Sequence, residues 1–329
     1  SGFCISGRCS PWTPWRDLVR SNISSRLKGV AEVHYFYNNM LGLPFWGANT
    51  GQKGQEASVS ASVIAEKSAR GSVRGLVPAW ATSLVASADT GKDHFHWGVR
   101  AWGSNWKSAL VDYGVAYTFE ELYERTLGAR FGTIYSWTIS PCTLWMDSGG
   151  SRHQADATRT EEVYRFARTD PRIMPLKGYG GATKPMKPLQ PHQHAYRPPG
   201  DESPIEVVLN IVDVQYFKDL LASRINSDDH DLWGLCAGVD HNYAVQMSAE
   251  KRVLIEQRVK ADSVLEVGRW VPRSSGAANH FWDMEVYNCA GAYALDVVEQ
   301  APLARTAPVH RAPRRVVDAW GRPYHVGRR

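Results

Sequence analysis

Leu84-Val85-Ala86-Ser87-Ala88-Asp89-Thr90-Gly91-Lys92-Asp93-His94-Phe95-His96-Trp97-Gly98-Val99-Arg100-Ala101-Trp102 is the stretch around which the chain is organised. It opens as an apolar run of strand length, stops at a lone carboxylate, turns through Thr-Gly-Lys-Asp, and resumes in alternation, with Phe95, Trp97 and Val99 on one face. The pattern predicts a hairpin whose first strand ends in an acid. A strand end holds a side chain rigidly while leaving it open to a ligand, so the question is what Asp89 works with.

Downstream, Trp106 to Val111 reads as a third strand, ended by Asp112-Tyr113-Gly114. Thr118-Phe119-Glu120-Glu121 then opens a helix like a capping box, in which the Thr hydroxyl and a Glu side chain satisfy free amides, and Gly128 closes it. Cys142-Thr143-Leu144-Trp145-Met146 is a further apolar run, and it too stops at a carboxylate, Asp147, before Ser148-Gly149-Gly150. Thr158 to Arg168 reads as an amphipathic helix, and Ile173 to Gly178 as a short strand leading into a loop with Lys184 and Lys187. Pro185 to Pro199 reads as irregular. Ile205 to Val212 is a strand, Val214 to Ile225 a helix carrying Lys218, Met247 to Val259 a helix capped by Ser248, and Val264 to Val271 an edge strand. This alternation is the rhythm of an α/β sheet. The last helix, Asn279 to about Val298, repeats Trp282, Val286, Cys289, Ala290, Tyr293 and Val297 at spacings of three and four, which puts Asp283 at the border of its packed face, one turn after Asn279.

Upstream, Val30, Val33, Phe36, Tyr37 and Met40 recur at helical spacing before Gly42 and Pro44, and Gly47 to about Arg74 is linker-like, with one helix near Val59 to Lys67. From Ala301 onward Arg305, Arg311, Arg314, Arg315, Arg322, Arg328 and Arg329 face the single acid Asp318. Such a tail suits a polyanion partner or simple solvation.

A chain of 329 residues with net charge +5 has the length of about two domains and the composition of a soluble globular protein. No apolar run reaches the roughly 20 residues needed to span a bilayer. The five cysteines are odd in number and scattered, so neither a disulfide framework nor a paired zinc site is indicated, and Cys4 with Cys9 has no following pair at ligand spacing.

Asp89, Asp147 and Asp283 say more together than any one alone. If the two strands are neighbours and the helix crosses them, three carboxylates converge, and carboxylates so close make chemical sense around cations. Oxygen-only ligands suit Mg²⁺ or Mn²⁺. Two such ions activate a water and stabilise the leaving oxygen of a phosphodiester. The rival reading takes Asp89-Thr90-Gly91 and Asp147-Ser148-Gly149 as the paired signatures of an aspartic protease. The motifs stand too close for a β-lobe to fit between them, and the helices around them argue against that fold.

Ser10-Pro11-Trp12-Thr13-Pro14-Trp15, Tyr37 to Phe45, Ala88-Asp89-Thr90-Gly91 with Ala101-Trp102-Gly103, Trp145 to Gly149, Leu176-Lys177-Gly178, and Asn279-His280-Phe281-Trp282-Asp283-Met284-Glu285-Val286-Tyr287 with Ala292-Tyr293-Ala294 come in an order and spacing that resembles the C-terminal half of lambda-like phage terminase large subunits. The resemblance runs discontinuously from about residue 10 to 295. It implies an α/β, RNase H-like mixed sheet flanked by helices, and a nuclease that cuts concatemeric double-stranded viral DNA during packaging. It implies that Asp89, Asp147 and Asp283 are the catalytic acids holding two Mg²⁺ or Mn²⁺ ions, and that Asn279 orients Asp283 or a metal-bound water. Lys177 and Lys218 are implied to lie near DNA phosphates, and the Lys184 and Lys187 loop is expected to join them. The implied partners are double-stranded DNA, a portal protein, a small terminase subunit and an ATPase domain of the same polypeptide, in the host cytoplasm.

No Gly-x-x-x-x-Gly-Lys-Ser/Thr phosphate loop is present, so the chain is not the motor by itself. The expected organisation is a helical and linker segment (1–75) that follows the ATPase domain, a nuclease domain (76–300) and a basic tail (301–329). Where the family often has Glu after the Asn of the last motif, this chain has His280. Two other readings stay open: another RNase H-like nuclease of resolvase or transposase type, and a domain that mainly docks DNA or portal with little cutting.

Overall fold

The computed structural model describes residues 13–28, 33, 35–41, 58–149, 154–179, 187–198, 200, 203–227, 229, 232–260 and 263–297. Cys4, Cys9, Lys184, the stretch 47–57 and the tail from Ala301 lie outside these residues.

Ten strands are labelled in chain order: β1 (Ala81–Thr90), β2 (Phe95–Gly103), β3 (Ser108–Ala116), β4 (Thr143–Asp147), β5 (Ile173–Tyr179), β6 (Leu189–Tyr196), β7 (Ile205–Asp213), β8 (Trp233–Gly234), β9 (Glu250–Lys260) and β10 (Ser263–Pro272). The helices are α1 (Trp15–Lys28), α2 (Ala61–Ala69), α3 (Phe119–Arg125), α4 (Gln154–Ala167), α5 (Val214–Ile225), α6 (His241–Met247) and α7 (His280–Ala294). Eight strands form one mixed sheet in the order β8-β3-β2-β1-β4-β5-β7-β6. The opening stretch is the antiparallel pair β1/β2, with Asp89 opposite His96 and Thr90 opposite Phe95. β1 then runs parallel to β4, and β4 parallel to β5. The run β3-β2-β1-β4-β5, with β2 antiparallel to its neighbours and helices over both faces, is the RNase H-like arrangement that the sequence leads one to expect.

Alternation along the central strands sets one large core on each face, and Tyr164 with Ile205, Val207 and Leu209 forms a smaller third cluster among the described residues. Leu84, Ala86, Ala88, Phe95, Trp97, Val99, Leu144 and Met146 pack on one face with Leu122 of α3 and Val163 of α4. Val85, Trp145 and Trp102 pack on the other with α5, α6 and α7. Because strand side chains alternate between faces, Ser87, Asp89 and Asp147 fall on the α7 side. α7 lies close to the sheet: a Cβ at Gly291 would come within 2.7 Å of the Trp145 ring and 2.8 Å of Val85 Cγ1. Asn288 fastens the helix further, donating to Val85 O (3.0 Å) and Ser87 Oγ (2.9 Å) and accepting from the Trp102 indole (2.7 Å).

Four expectations are corrected. Pro185–Pro199 is not wholly irregular, since β6 forms the sheet edge, where Pro191 opposite Asn210 costs no interior ladder bond. Met247–Val259 is not a helix: α6 ends at Met247, and β9 pairs with β10 as a two-stranded ribbon. The third strand does not stop at Asp112 but continues to Ala116, because β2 offers partners as far as Phe95. The part of the supposed linker from Ser58 onward is anchored, with Val59 and Ile64 in the core, Ser72 bridged to Cys236, and the Ser68 hydroxyl donating to Cys236 O.

Candidate active site

Asp89 is next to last in β1 and Asp147 ends β4, side by side on parallel strands: Ala88 pairs with Met146, and the Thr90 hydroxyl donates to Asp147 O at 2.6 Å. α7 brings the third acid. Every residue from Phe281 to Ala292 is buried except Asp283, which sits in the first helical turn, where the helix dipole favours a negative charge. The single apolar stripe expected of this helix is in fact a nearly complete jacket, because α5 and α6 cover the side turned away from the sheet.

Each carboxylate has its own donor. Asp89 Oδ2 lies 2.7 Å from His280 Nδ1. Asp147 Oδ2 accepts from Gly149 N at 3.0 Å, and Gly149 has φ +69°, a left-handed conformation that suits glycine. Asp283 Oδ1 faces Lys218 Nζ at 3.0 Å, and its Oδ2 accepts from Asn279 Nδ2 at 2.8 Å. Each carboxylate oxygen carries two lone pairs, so one bond leaves capacity for a further ligand.

Glu250 is a fourth acid that the sequence reading missed. It is buried at the start of β9, accepts from Lys218 Nζ at both oxygens (2.9 Å each), and accepts from Asn279 at 2.8 Å. Its position could not be read from a segment taken for a helix. Tyr287, one turn beyond Asp283, is also buried here; burial first, and then the charges of Asp147, Asp283 and Asp89, hold its hydroxyl far above the ordinary tyrosine range.

Of the four lysines expected near DNA, Lys177 is exposed at the end of β5, close enough for its charge to act on Asp147, and Lys187 is exposed before β6. Lys218 is corrected: it is buried and ion-paired to Glu250 and Asp283, so its ammonium balances acids instead of meeting phosphate. Lys184 lies outside the described residues.

The electrostatics favour added positive charge. Burial, and then the neighbouring Asp89, push the Asp147 carboxyl up to about 7. Burial also raises Asp283, with Lys218 opposing and Asp89 and Glu250 adding to the rise. Burial alone would lower Lys218, but Asp283 and Glu250 raise it, which keeps the ammonium charged between two acids. The upward shifts of Asp283 and Lys218 are compatible, because one cation is shared by two carboxylates. Four acids thus face Lys218 and His280. A set of oxygen donors with surplus negative charge fits hard divalent cations.

Three imidazoles border these acids. His94 and His96 flank Phe95 and project on the α7 side, where His280 stacks on His96 at 4.5 Å with the rings 11° apart. Burial, followed by His280 and His94, lowers His96 to about 3, so its ring is neutral. The hydrogen bond to Asp89 raises His280. Among the described residues, the tightest grouping of three ligand-type side chains is this one, with one nitrogen from each within 4.8 Å of the others. His94-Phe95-His96, two histidines at i and i+2 across the start of β2, is the local pattern that could have pointed to it.

Acids at the ends of two neighbouring parallel strands of an RNase H-like sheet, with a third acid on the helix packed over them, define a class: α/β proteins of that fold with a carboxylate-lined site. Within it, the chain belongs to the family described as terminase large subunit gpA, endonuclease domain, whose family model matches residues 1–302. No curated protein and no solved structure matches the chain. Family membership carries a nuclease role in phage DNA packaging, with DNA as substrate. No described helix is long and apolar enough to cross a membrane.

Proposed function

We propose that the chain is a divalent-metal-dependent endonuclease that cleaves concatemeric double-stranded DNA, with Asp89, Asp147 and Asp283 as the metal-holding acids. The observation that carries this reading is their convergence on one face of the sheet, with Asp147 raised to about 7 by burial and by Asp89. When bound, two Mg²⁺ or Mn²⁺ ions supply an activated water and stabilise the leaving oxygen.

The chain's own residues do the rest. The strand ends fix Asp89 and Asp147, and the tight seating of α7 fixes Asp283. Asn279 is a positioning residue: its amide spans Asp283 and Glu250 and sets the orientation of both. Lys218 keeps these two acids together, and removing it leaves their charges opposed. Lys177 and Lys187 hold the duplex by its phosphates, which gives affinity without reading sequence. The catalytic unit is the packed body from Ser58 to Val297. Portal, small subunit and the ATPase domain are its packaging partners in this reading.

Plasmid DNA incubated with the protein and Mn²⁺ or Mg²⁺ tests the proposal. Nicked and linear products are expected from the natural sequence, with losses of at least about 10²-fold in Asp89→Ala, Asp147→Ala and Asp283→Ala, on the scale of several kcal/mol that bound metals contribute. Undiminished cutting by the three variants overturns the site.

A further inference from the structure

We propose that His94, His96 and His280 form a second metal site, adjoining the carboxylates, for one nitrogen-preferring transition-metal dication of the Zn²⁺ class. The three rings come from two elements. The β1/β2 turn and the strand after it place His94 and His96 two residues apart, hence on one face, and the first residue of α7 lays His280 against both. The ring centroids are 4.9 Å apart for His94 and His96, 4.5 Å for His96 and His280, and 5.9 Å for His94 and His280. One ring nitrogen from each residue lies within 4.8 Å of the other two.

Two further observations point to a ligand. Nδ1 of His280 is held by Asp89 Oδ2 and Nδ1 of His94 by Asp93 Oδ1, both at 2.7 Å. A carboxylate on one ring nitrogen is the arrangement that orients an imidazole to ligate through the other, so Nε2 of each is the available donor. His96, only 5% exposed, has a buried Nδ1 with no hydrogen-bond partner, an arrangement that packing alone disfavours. His96 is the fixed member. His94 and His280, whose side chains are 30% and 34% exposed, are the members that must turn for the three lone pairs to meet on one ion, since the His96 and His280 rings stack face to face.

Ligand chemistry separates this site from the first. Imidazoles select Zn²⁺, Co²⁺ or Ni²⁺, whereas carboxylates suit Mg²⁺ and Mn²⁺. The two sites touch through the Asp89–His280 hydrogen bond, so Asp89 serves one as ligand and the other as support. The inference does not rest on the nuclease reading.

The test uses the full chain, stripped with a chelator and titrated with Co²⁺, whose visible bands intensify and shift when it leaves octahedral water for a low-coordinate imidazole site. One equivalent producing the band, displaced by Zn²⁺ and retained in excess Mg²⁺, is expected. His94→Ala, in the turn before β2, and His280→Asn are each expected to weaken Co²⁺ binding at least about tenfold, while Asp147→Asn and Asp283→Asn leave it within about twofold. Circular dichroism on each variant separates ligand loss from misfolding. No band, or a band unmoved by His94→Ala and His280→Asn but lost in Asp147→Asn, overturns the proposal. Plasmid cutting can fail with the band intact, and the reverse, so the two readings fail separately.

Discussion

Lys218 and Asp147 have opposite fates in the same pocket. Lys218 finds two carboxylates, and losing one member of a buried ionic cluster typically costs about 3–5 kcal/mol because the partners are left unbalanced. Lys218→Met is therefore expected to lower the free energy of unfolding in urea by about that amount, with Mn²⁺ restoring part of it by standing in for the ammonium. Asp147 is held up to about 7 by burial and by Asp89. With the folded carboxyl raised above its unfolded value, its contribution to stability is full below about 4 and is lost as pH rises through about 7. In a chelator-containing buffer, the urea midpoint of the natural sequence should fall across that window relative to Asp147→Asn, which lacks the titration. Parallel curves for the two proteins contradict the assigned environment.

The three acids were legible because each is conspicuous where the local pattern predicts a packed residue: two end apolar runs and one borders an apolar stripe. Glu250 and the imidazole cluster were not. Glu250 becomes a site residue only through the pairing of β9 with β10, and His280 meets His96 only because α7 crosses the hairpin. The resemblance implies a place near DNA phosphates for Lys218, and nothing in the sequence near it shows the acids that come to it from β9 and α7.

At the scale of elements, α7 is fixed by polar bonds as well as by its apolar jacket. Glu285, fully buried, accepts from Arg100 Nε (2.7 Å) and Nη2 (2.9 Å) and from the Tyr243 hydroxyl (2.8 Å). Arg100 also donates to Gly234 O and lies over the Trp233 ring. This cluster ties α7 to β2, α6 and β8, and so sets the helix that carries Asp283. Arg100→Leu leaves a buried carboxylate unpaired and should cost about 3–5 kcal/mol in chemical denaturation; a loss below 1 kcal/mol would mean that the pair does not govern the placement of α7. The hairpin, the capped α3 and the strands ending in acids follow from local pattern, and they were legible. The β9/β10 ribbon was not, because Glu250 to Lys260 carries enough apolar and charged residues at both periods to fit helix or strand, and pairing with β10 decides between them. β6 was hidden by Pro191, which only an edge position tolerates.

For the whole molecule, the sheet separates two cores, and the acids open at the end where β1, β4 and the start of α7 meet. Duplex DNA held there by phosphate contacts should bind with a logarithmic affinity that falls linearly with log salt, by about 0.9 per phosphate neutralised. The double variant Lys177→Glu, Lys187→Glu is expected to weaken binding and flatten that slope, as measured by fluorescence anisotropy on duplexes of unrelated sequence; an unchanged slope would place the duplex elsewhere. RNase H-like topology was legible from the strand and helix rhythm together with the family resemblance, whereas the substrate came from the resemblance alone, since three acids at a sheet edge do not name what they cut. The most direct measurement of the central claim is anomalous scattering from crystals soaked in Mn²⁺. Manganese peaks are expected within coordination distance of Asp89, Asp147 and Asp283, and are lost in Asp147→Ala crystals. Manganese bound only at the imidazoles, or nowhere near the three acids, would contradict it.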